Sequence, residues 1–291
     1  MRTAAMCGLM LCGLLTGCGD KGDGKAQTPQ PAPAAQSPQT AVSHANGAAP
    51  SAAIQISAET YARLHQSFKD ATLAEPPGES DTYTLPPETI TRKSVGKLYE
   101  TVVAEWTKVP FVTPAGKKLA YTATIATDLG NITIELWPEL APNHVRNFVA
   151  LARAGYYDGL QFDRVVKTEL EDKKCQFIEY VEAGCPMGTG EVTYGSIGYW
   201  LKPEFSDTVK HEEGSVGAWH DEELESAACK FYITLSKAEW MDGNFTLFGK
   251  ITQGLEIARA IHRQPVQAKD GDRPVDPVVI RSVTIVCREQ P

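Results

Sequence analysis

Arg164, in the run QFDRVV at 161–166, stands among apolar strand-forming residues, and the glycine-rich turn GCPMGTG follows at 184–190. A guanidinium is always charged, planar and able to donate to two acceptors at once. In an apolar setting it can stabilise electron density that gathers on nitrogen or oxygen during a reaction. A second candidate is the loop KHEEGSVGAWHDEELES at 210–226, where His211 and His220 accompany six acids. The two histidines are nine apart and fit no fixed metal-ligand spacing, so the loop reads as solvated acidic surface rather than a metal site. No CxxC pair occurs in the chain. Cys175, Cys185, Cys229 and Cys287 lie beyond the N-terminal region and allow three pairings. Cys175 and Cys185 bracket a loop that a bridge could staple in an oxidising compartment; four reduced, mostly buried thiols are the alternative.

Strands have to hold Arg164 in place. KLAYTATIAT and NITIELW alternate apolar and polar residues, with Ile132, Ile134 and Leu136 on one face, and the turn Asp128-Leu129-Gly130 joins them as a hairpin. After Pro138 and Pro142, Asn143 can cap a helix whose Val145, Phe148, Val149 and Ala152 face inward and which Gly155 stops. LEIARAIHR at 255–263 is a second helix after Gly254, and VVIRSVTIV at 278–286 is a closing strand. Many strands with two helices indicate a mainly β domain, a closed antiparallel barrel over 113–291.

Ahead of it, SAETYARLHQSFKDA at 57–71 places Tyr61, Leu64 and Phe68 on one helical face after a Ser and Glu start signal. Val95, Leu98, Tyr99, Val102, Val103 and Trp106 form a second amphipathic stripe. Residues 54–112 therefore read as a small helical extension, packed on the barrel or a twin chain, with a partner-binding groove as the alternative. Residues 18–53 are rich in Ala, Pro and Gln with almost no large apolar side chain. Such a segment cannot offset its ordering entropy and reads as a disordered tether with a reach of roughly 35 Å. Residues 1–17 hold one cation, a short apolar run and small residues, the pattern of a secretory leader. Its end, Leu15-Thr16-Gly17-Cys18, resembles the bacterial lipobox, which implies export and a lipid anchor at Cys18, in the periplasm or on the cell exterior; an ordinary signal peptide is the alternative. The composition, 42% hydrophobic and 22% charged, is globular, and the net charge of -8 argues against nucleic acid as a partner.

From about Leu119 to Cys287 the strings TDLGNITIELWPELAPNHVRNFVALARAGYYDGLQFDRVV, GCPMGTG, FYITL and WMDGNFTLFGK resemble the cyclophilin family of peptidyl-prolyl isomerases. The resemblance implies eight strands with a helix across each open end, proline-containing polypeptide substrates, and no cofactor or metal. Rotation about an X-Pro bond is slow because amide resonance sets a barrier of about 18 to 20 kcal/mol. A donor to the prolyl nitrogen, which regains its lone pair in the twisted state, lowers that barrier. The family's catalytic arginine stands two places after a phenylalanine, here Arg164 after Phe162.

For substrate binding the resemblance implies Tyr180 and Glu182, which take the family's methionine and glutamine positions when KTELEDKKCQ is counted as an insertion. It also implies Tyr232, Trp240, Met241 and Phe245 as an apolar wall, and His220 near a family asparagine that contacts the substrate backbone. Phe231 is expected in the core, and Lys230 replaces a glutamine. The hydroxyl of Tyr232 requires a partner. Glu182, Lys230 and the insertion leave a second reading open, a catalytically weak proline-peptide binding or scaffold module in which Glu182 pairs with Arg164.

Overall fold

The computed structural model describes residues 57–78, 83–169, 177–267 and 272–290. The leader, the tether, Cys18 and Cys175 lie outside them. The extension holds α1 (Ala58–Leu64), α2 (Phe68–Ala71), the short β1 (Thr72–Leu73) and α3 (Val95–Trp106). Then follow β2 (Leu119–Thr127), β3 (Gly130–Leu136), α4 (Pro142–Arg153), β4 (Phe162–Glu169), β5 (Phe177–Ala183), β6 (Trp200–Leu201), β7 (Ser215–Ala218), β8 (Phe231–Thr234), β9 (Thr246–Gln253), α5 (Leu255–His262) and β10 (Ile280–Glu289).

Eight strands form one antiparallel sheet in the order β10-β2-β3-β9-β7-β8-β5-β4. The two edges approach each other at one bridge, Gln161 to Val279, flanked by hydrogen bonds from Phe162 N to Val278 O (2.9 Å) and Ile280 N to Leu160 O (2.7 Å). The alternation expected for the first hairpin is present: Tyr121, Ala123 and Ile125 on β2 and Ile132, Ile134 and Leu136 on β3 are buried. Helix α4 packs against β9 and β10, and α5 against β3, β4 and β5.

The start of α4 differs from the sequence reading. Pro142 opens the helix, so Asn143 lies inside the first turn and does not cap it. The free amides of Asn143 and His144 instead donate to the Glu204 carboxylate at 3.0 Å each, a cap delivered from a distant loop to the positive end of the helix. The single helix expected over 57–71 is two, because Ser67 accepts from Asp70 N and restarts the helix as α2. The chain then extends to pair β1 with β6. Side chains of the extension enter the barrel's own core: Leu64, Val95, Leu98 and Val102 are buried in the same cluster as Tyr121 and Val149. Cys185 and Cys229 are buried free thiols and Cys287 is an exposed one.

Candidate active site

Arg164, Glu182, Tyr232 and Gly217 stand directly opposite one another across four adjacent strands, β4, β5, β8 and β7. Facing residues of antiparallel strands share a face of the sheet, so three side chains from distant parts of the chain form one transverse row. A bulge creates the alignment. Between Phe162 and Arg164 the register slips, and Asp163 is the extra residue; without the slip, Asp163 and not Arg164 would oppose Glu182. Bulges of this kind re-aim side chains. The insertion after Arg164 lengthens this same hairpin, with Lys167 opposite Glu179 and Glu169 opposite Phe177. At the end of the row Gly217 is required, because a Cβ there would lie 2.1 Å from the Tyr232 hydroxyl.

The guanidinium is held on two sides. Nε and Nη2 donate to Asp272 Oδ2 at 3.0 and 2.5 Å, and Nη1 donates to Glu182 Oε2 at 3.1 Å. Glu182 is fully buried, and its Oε1 pairs by charge with Lys230 Nζ without hydrogen-bond alignment. Lys230 also donates to Gly190 O at 2.9 Å. Burial works to lower the Arg164 pKa, but Glu182 and Asp272 outweigh it and raise the value. Asp163 is fully buried beside this group. Burial first, then the Glu182 charge, pushes its carboxyl up to about 8, with Lys230 and Arg164 pulling the other way. With Asp163 protonated, two cations face two carboxylates and the cluster is neutral.

Above the charges lies an apolar cluster separate from the barrel core: Val166, Tyr180, Tyr232, Ala238 and Met241, with Ile178, Trp219 and Phe245 packed on it. The structure thus brings Tyr180, Tyr232, Met241 and Phe245 together beside Arg164. Trp240 is at the rim, 39% exposed and edge-on to Phe245 at 5.6 Å. Phe231 is in the barrel core against Phe148, Tyr157 and Phe162.

The partner that the Tyr232 hydroxyl requires is His211, whose Nε2 lies 2.7 Å away, while its Nδ1 faces Asp242 Oδ1 at 2.8 Å. Burial lowers the His211 pKa against the pull of Asp242. The neutral ring then donates to Asp242 and accepts from the phenol. His220 is otherwise occupied than the family position implied. Its Nδ1 and Nε2 face the carbonyls of Asp221 and Asn244 at 2.7 Å each, and its ring stacks on Phe245 at 4.1 Å. In this arrangement His220 shapes the wall and has no nitrogen free for a substrate. Glu182, assigned to the substrate backbone from its position, spends both oxygens on Arg164 and Lys230. Among the described residues no cluster of His, Cys, Asp and Glu could hold a metal ion.

Sequence reasoning missed Asp272, Trp219, His211 and the buried Asp163. Asp272 sits in the loop between α5 and β10, 108 residues from Arg164, and no local spacing points to it. His211 was considered only as a metal ligand, since the tyrosine it serves is on another strand. Beside Arg164, Thr189, Gly190, Glu191, Asp272 and Arg273 line a cavity of about 280 Å³.

The fold described above has counterparts among known proteins. The family described as cyclophilin type peptidyl-prolyl cis-trans isomerase/CLD matches residues 122–285. The chain belongs to this family of isomerases. It is similar to peptidyl-prolyl cis-trans isomerase-like 3 of Gallus gallus, 33% identical over 162 residues that cover 56% of this chain and 94% of the relative. It is also similar to peptidyl-prolyl cis-trans isomerase ppi1 of Schizosaccharomyces pombe, 30% identical over 162 residues, 55% of this chain and 97% of the relative. A crystal structure of a cyclophilin type isomerase from Cryptosporidium parvum shares the fold, with a TM-score of 0.50 and 24% identity over 59% of this chain and 99% of that one.

Proposed function

We propose that the chain rotates X-Pro bonds in polypeptides, with Arg164 donating to the prolyl nitrogen and the adjoining carbonyl, and with the Tyr180, Tyr232, Met241 and Phe245 cluster receiving the ring. One observation carries the reading. Of the five N–H groups of Arg164, three are engaged by Asp272 and Glu182, two remain, and 21% of the side chain reaches solvent at the edge of the aromatic cluster. The two carboxylates fix the guanidinium plane and leave its charge intact. A donor so preorganised needs no reorganisation when the nitrogen lone pair emerges. Lowering the barrier by about 5 to 6 kcal/mol corresponds to roughly four powers of ten in rate. The chemistry calls for no cofactor.

The test is a cis/trans isomerisation assay on a proline peptide with wild-type and Arg164→Ala protein. The variant is expected to lose nearly all the catalysed rate, and equal rates would refute the assignment. A second reading, a proline-peptide binding or scaffold module with little activity, is favoured by the engagement of all three guanidine nitrogens with carboxylates. It predicts tight peptide binding beside a null isomerisation rate in the same assay.

The proposal extends to place. The leader and Cys18 support an exported, lipid-anchored protein acting on exported or envelope polypeptides. No helix among the described residues is long and apolar enough to cross a membrane, so a membrane attachment through them is not what the reading invokes. Cys18→Ser is expected to abolish incorporation of labelled fatty acid and to move the protein from the membrane pellet to the soluble fraction; retention of the label refutes the anchor.

A further inference from the structure

Three of the four side chains assigned to the proline ring are covered, and the fourth, Phe245, is half-buried. Tyr232 and Met241 have no exposed surface and Tyr180 has 4%. The indole of Trp219 covers them: it stacks on Tyr180 at 5.6 Å, lies tilted on Phe245 at 5.4 Å and meets Tyr232 edge-on at 6.3 Å. The guanidinium carbon of Arg164 is 5.4 Å from the same ring and Lys230 Nζ is 5.8 Å from it. One side chain therefore touches Tyr180, Tyr232 and Phe245 as well as Arg164, the same partners that a bound prolyl ring has to touch.

We infer that Trp219 is an intramolecular occupant of the proline pocket, a gating residue that a substrate must displace before Arg164 can reach the prolyl nitrogen. The inference rests on the reading of Arg164 and its wall as the isomerase site. Two properties of the indole fit an occupant that leaves. Its Nε1 is buried with no hydrogen-bond partner, so the seated position carries an unsatisfied donor that water would satisfy on opening. Its position is also at a strand end: β7 stops at Ala218, and Trp219 begins the loop that returns at Lys230, held there by a backbone bond from Trp219 N to Lys230 O of 3.2 Å. Rotation about the side-chain torsions clears the pocket without breaking a ladder. The contacts also explain what sets the opening cost, since aromatic pairs and a cation over an indole face each favour the seated ring.

The gate turns substrate choice into a competition. A peptide gains the pocket only if its proline and neighbouring residues replace what the indole gives up, so short or poorly anchored proline peptides are turned over slowly by a site whose donor is intact.

The test compares full-length wild type, Trp219→Ala and Trp219→Leu in the proline-peptide isomerisation assay, with peptide affinity measured in parallel and folding checked by thermal unfolding. Both variants are expected to raise kcat/KM by about tenfold, equivalent to 1.4 kcal/mol, mainly through a lower KM. The leucine variant keeps apolar cover for the wall if the alanine variant folds poorly. A fluorine label on tryptophan supplies a readout independent of turnover: the Trp219 resonance, identified by its loss in Trp219→Leu, is expected to move toward a solvent-exposed position when proline peptide is added. Unchanged or lower kcat/KM in both variants, with an active wild type, overturns the gate and leaves the isomerase reading standing. Absence of both binding and turnover in wild type and variants overturns the isomerase reading and the gate with it.

Discussion

Replacing Glu182 with glutamine tests the charge arrangement that holds Arg164. The side chain is fully buried between Arg164 and Lys230, and removing one partner of a buried pair costs about 3–5 kcal/mol. Asp163 offsets part of this. Its folded pKa of about 8 lies above the unfolded 3.8, so the folded chain keeps a proton that the unfolded chain releases. Through this residue wild-type stability is fullest below about pH 4 and is lost as pH rises toward 8, by on the order of 4 kcal/mol between pH 4 and 7. Glu182→Gln removes the second cause of that shift, Asp163 ionises in place of the lost carboxylate, and two cations again face two anions.

The variant is therefore expected to be about 3 kcal/mol less stable at pH 4.5 and within about 1 kcal/mol at pH 7.5. In urea titrations with a slope of about 2 kcal/mol/M, the gap in midpoints narrows from about 1.5 M to about 0.5 M or less. Acid effects at His211 and Asp242 are common to both proteins and cancel in the difference. Exchanging a charge-assisted bond at Nη1 for a neutral one, worth about 1 kcal/mol, loosens the hold on the guanidinium plane and is expected to lower kcat/KM about fivefold. A gap that is constant between the two pH values would show that Asp163 is not the compensating group. A rise in kcat/KM would show that Glu182 restrains the arginine rather than orienting it.

Two further substitutions probe the wall and the turn. Tyr232→Phe leaves His211 Nε2 buried without a partner and is expected to cost about 1–2 kcal/mol while changing kcat/KM by less than about threefold; adding His211→Leu to Tyr232→Phe should cost less than His211→Leu alone, as read from urea midpoints. Gly190 has φ 71 and a Cβ there would lie 2.5 Å from Arg164 Cγ, so Gly190→Ala is expected to displace the guanidinium and reduce kcat/KM about tenfold or more, with peptide affinity changed much less.

The sequence by itself determined the fold class and singled out Arg164. Alternation in β2 and β3, the glycine stops and the amphipathic stripe of α3 are local patterns, because one face of each element has to be buried, and they were legible without contacts. Arg164, Tyr180, Tyr232 and Phe245 were legible through the family resemblance, whereas Trp219 beside them was not. Local patterning also accounts for two misreadings at element ends: Asn143 has the right residue type for a cap, and 57–71 has the right period for one helix. A carboxylate from Glu204 and the Ser67 cap that restarts the helix as α2 decided otherwise.

Only the tertiary structure decided what surrounds Arg164. Asp272 reaches it from 108 residues away, the one-residue slip at Asp163 sets it opposite Glu182, and Tyr232 finds His211 on the loop between β6 and β7. Each contact pairs residues that share no helical or strand period, so no spacing in the chain records it. Buried charges and hydroxyls take whichever partner the folded backbone brings within reach, and that choice is made in space.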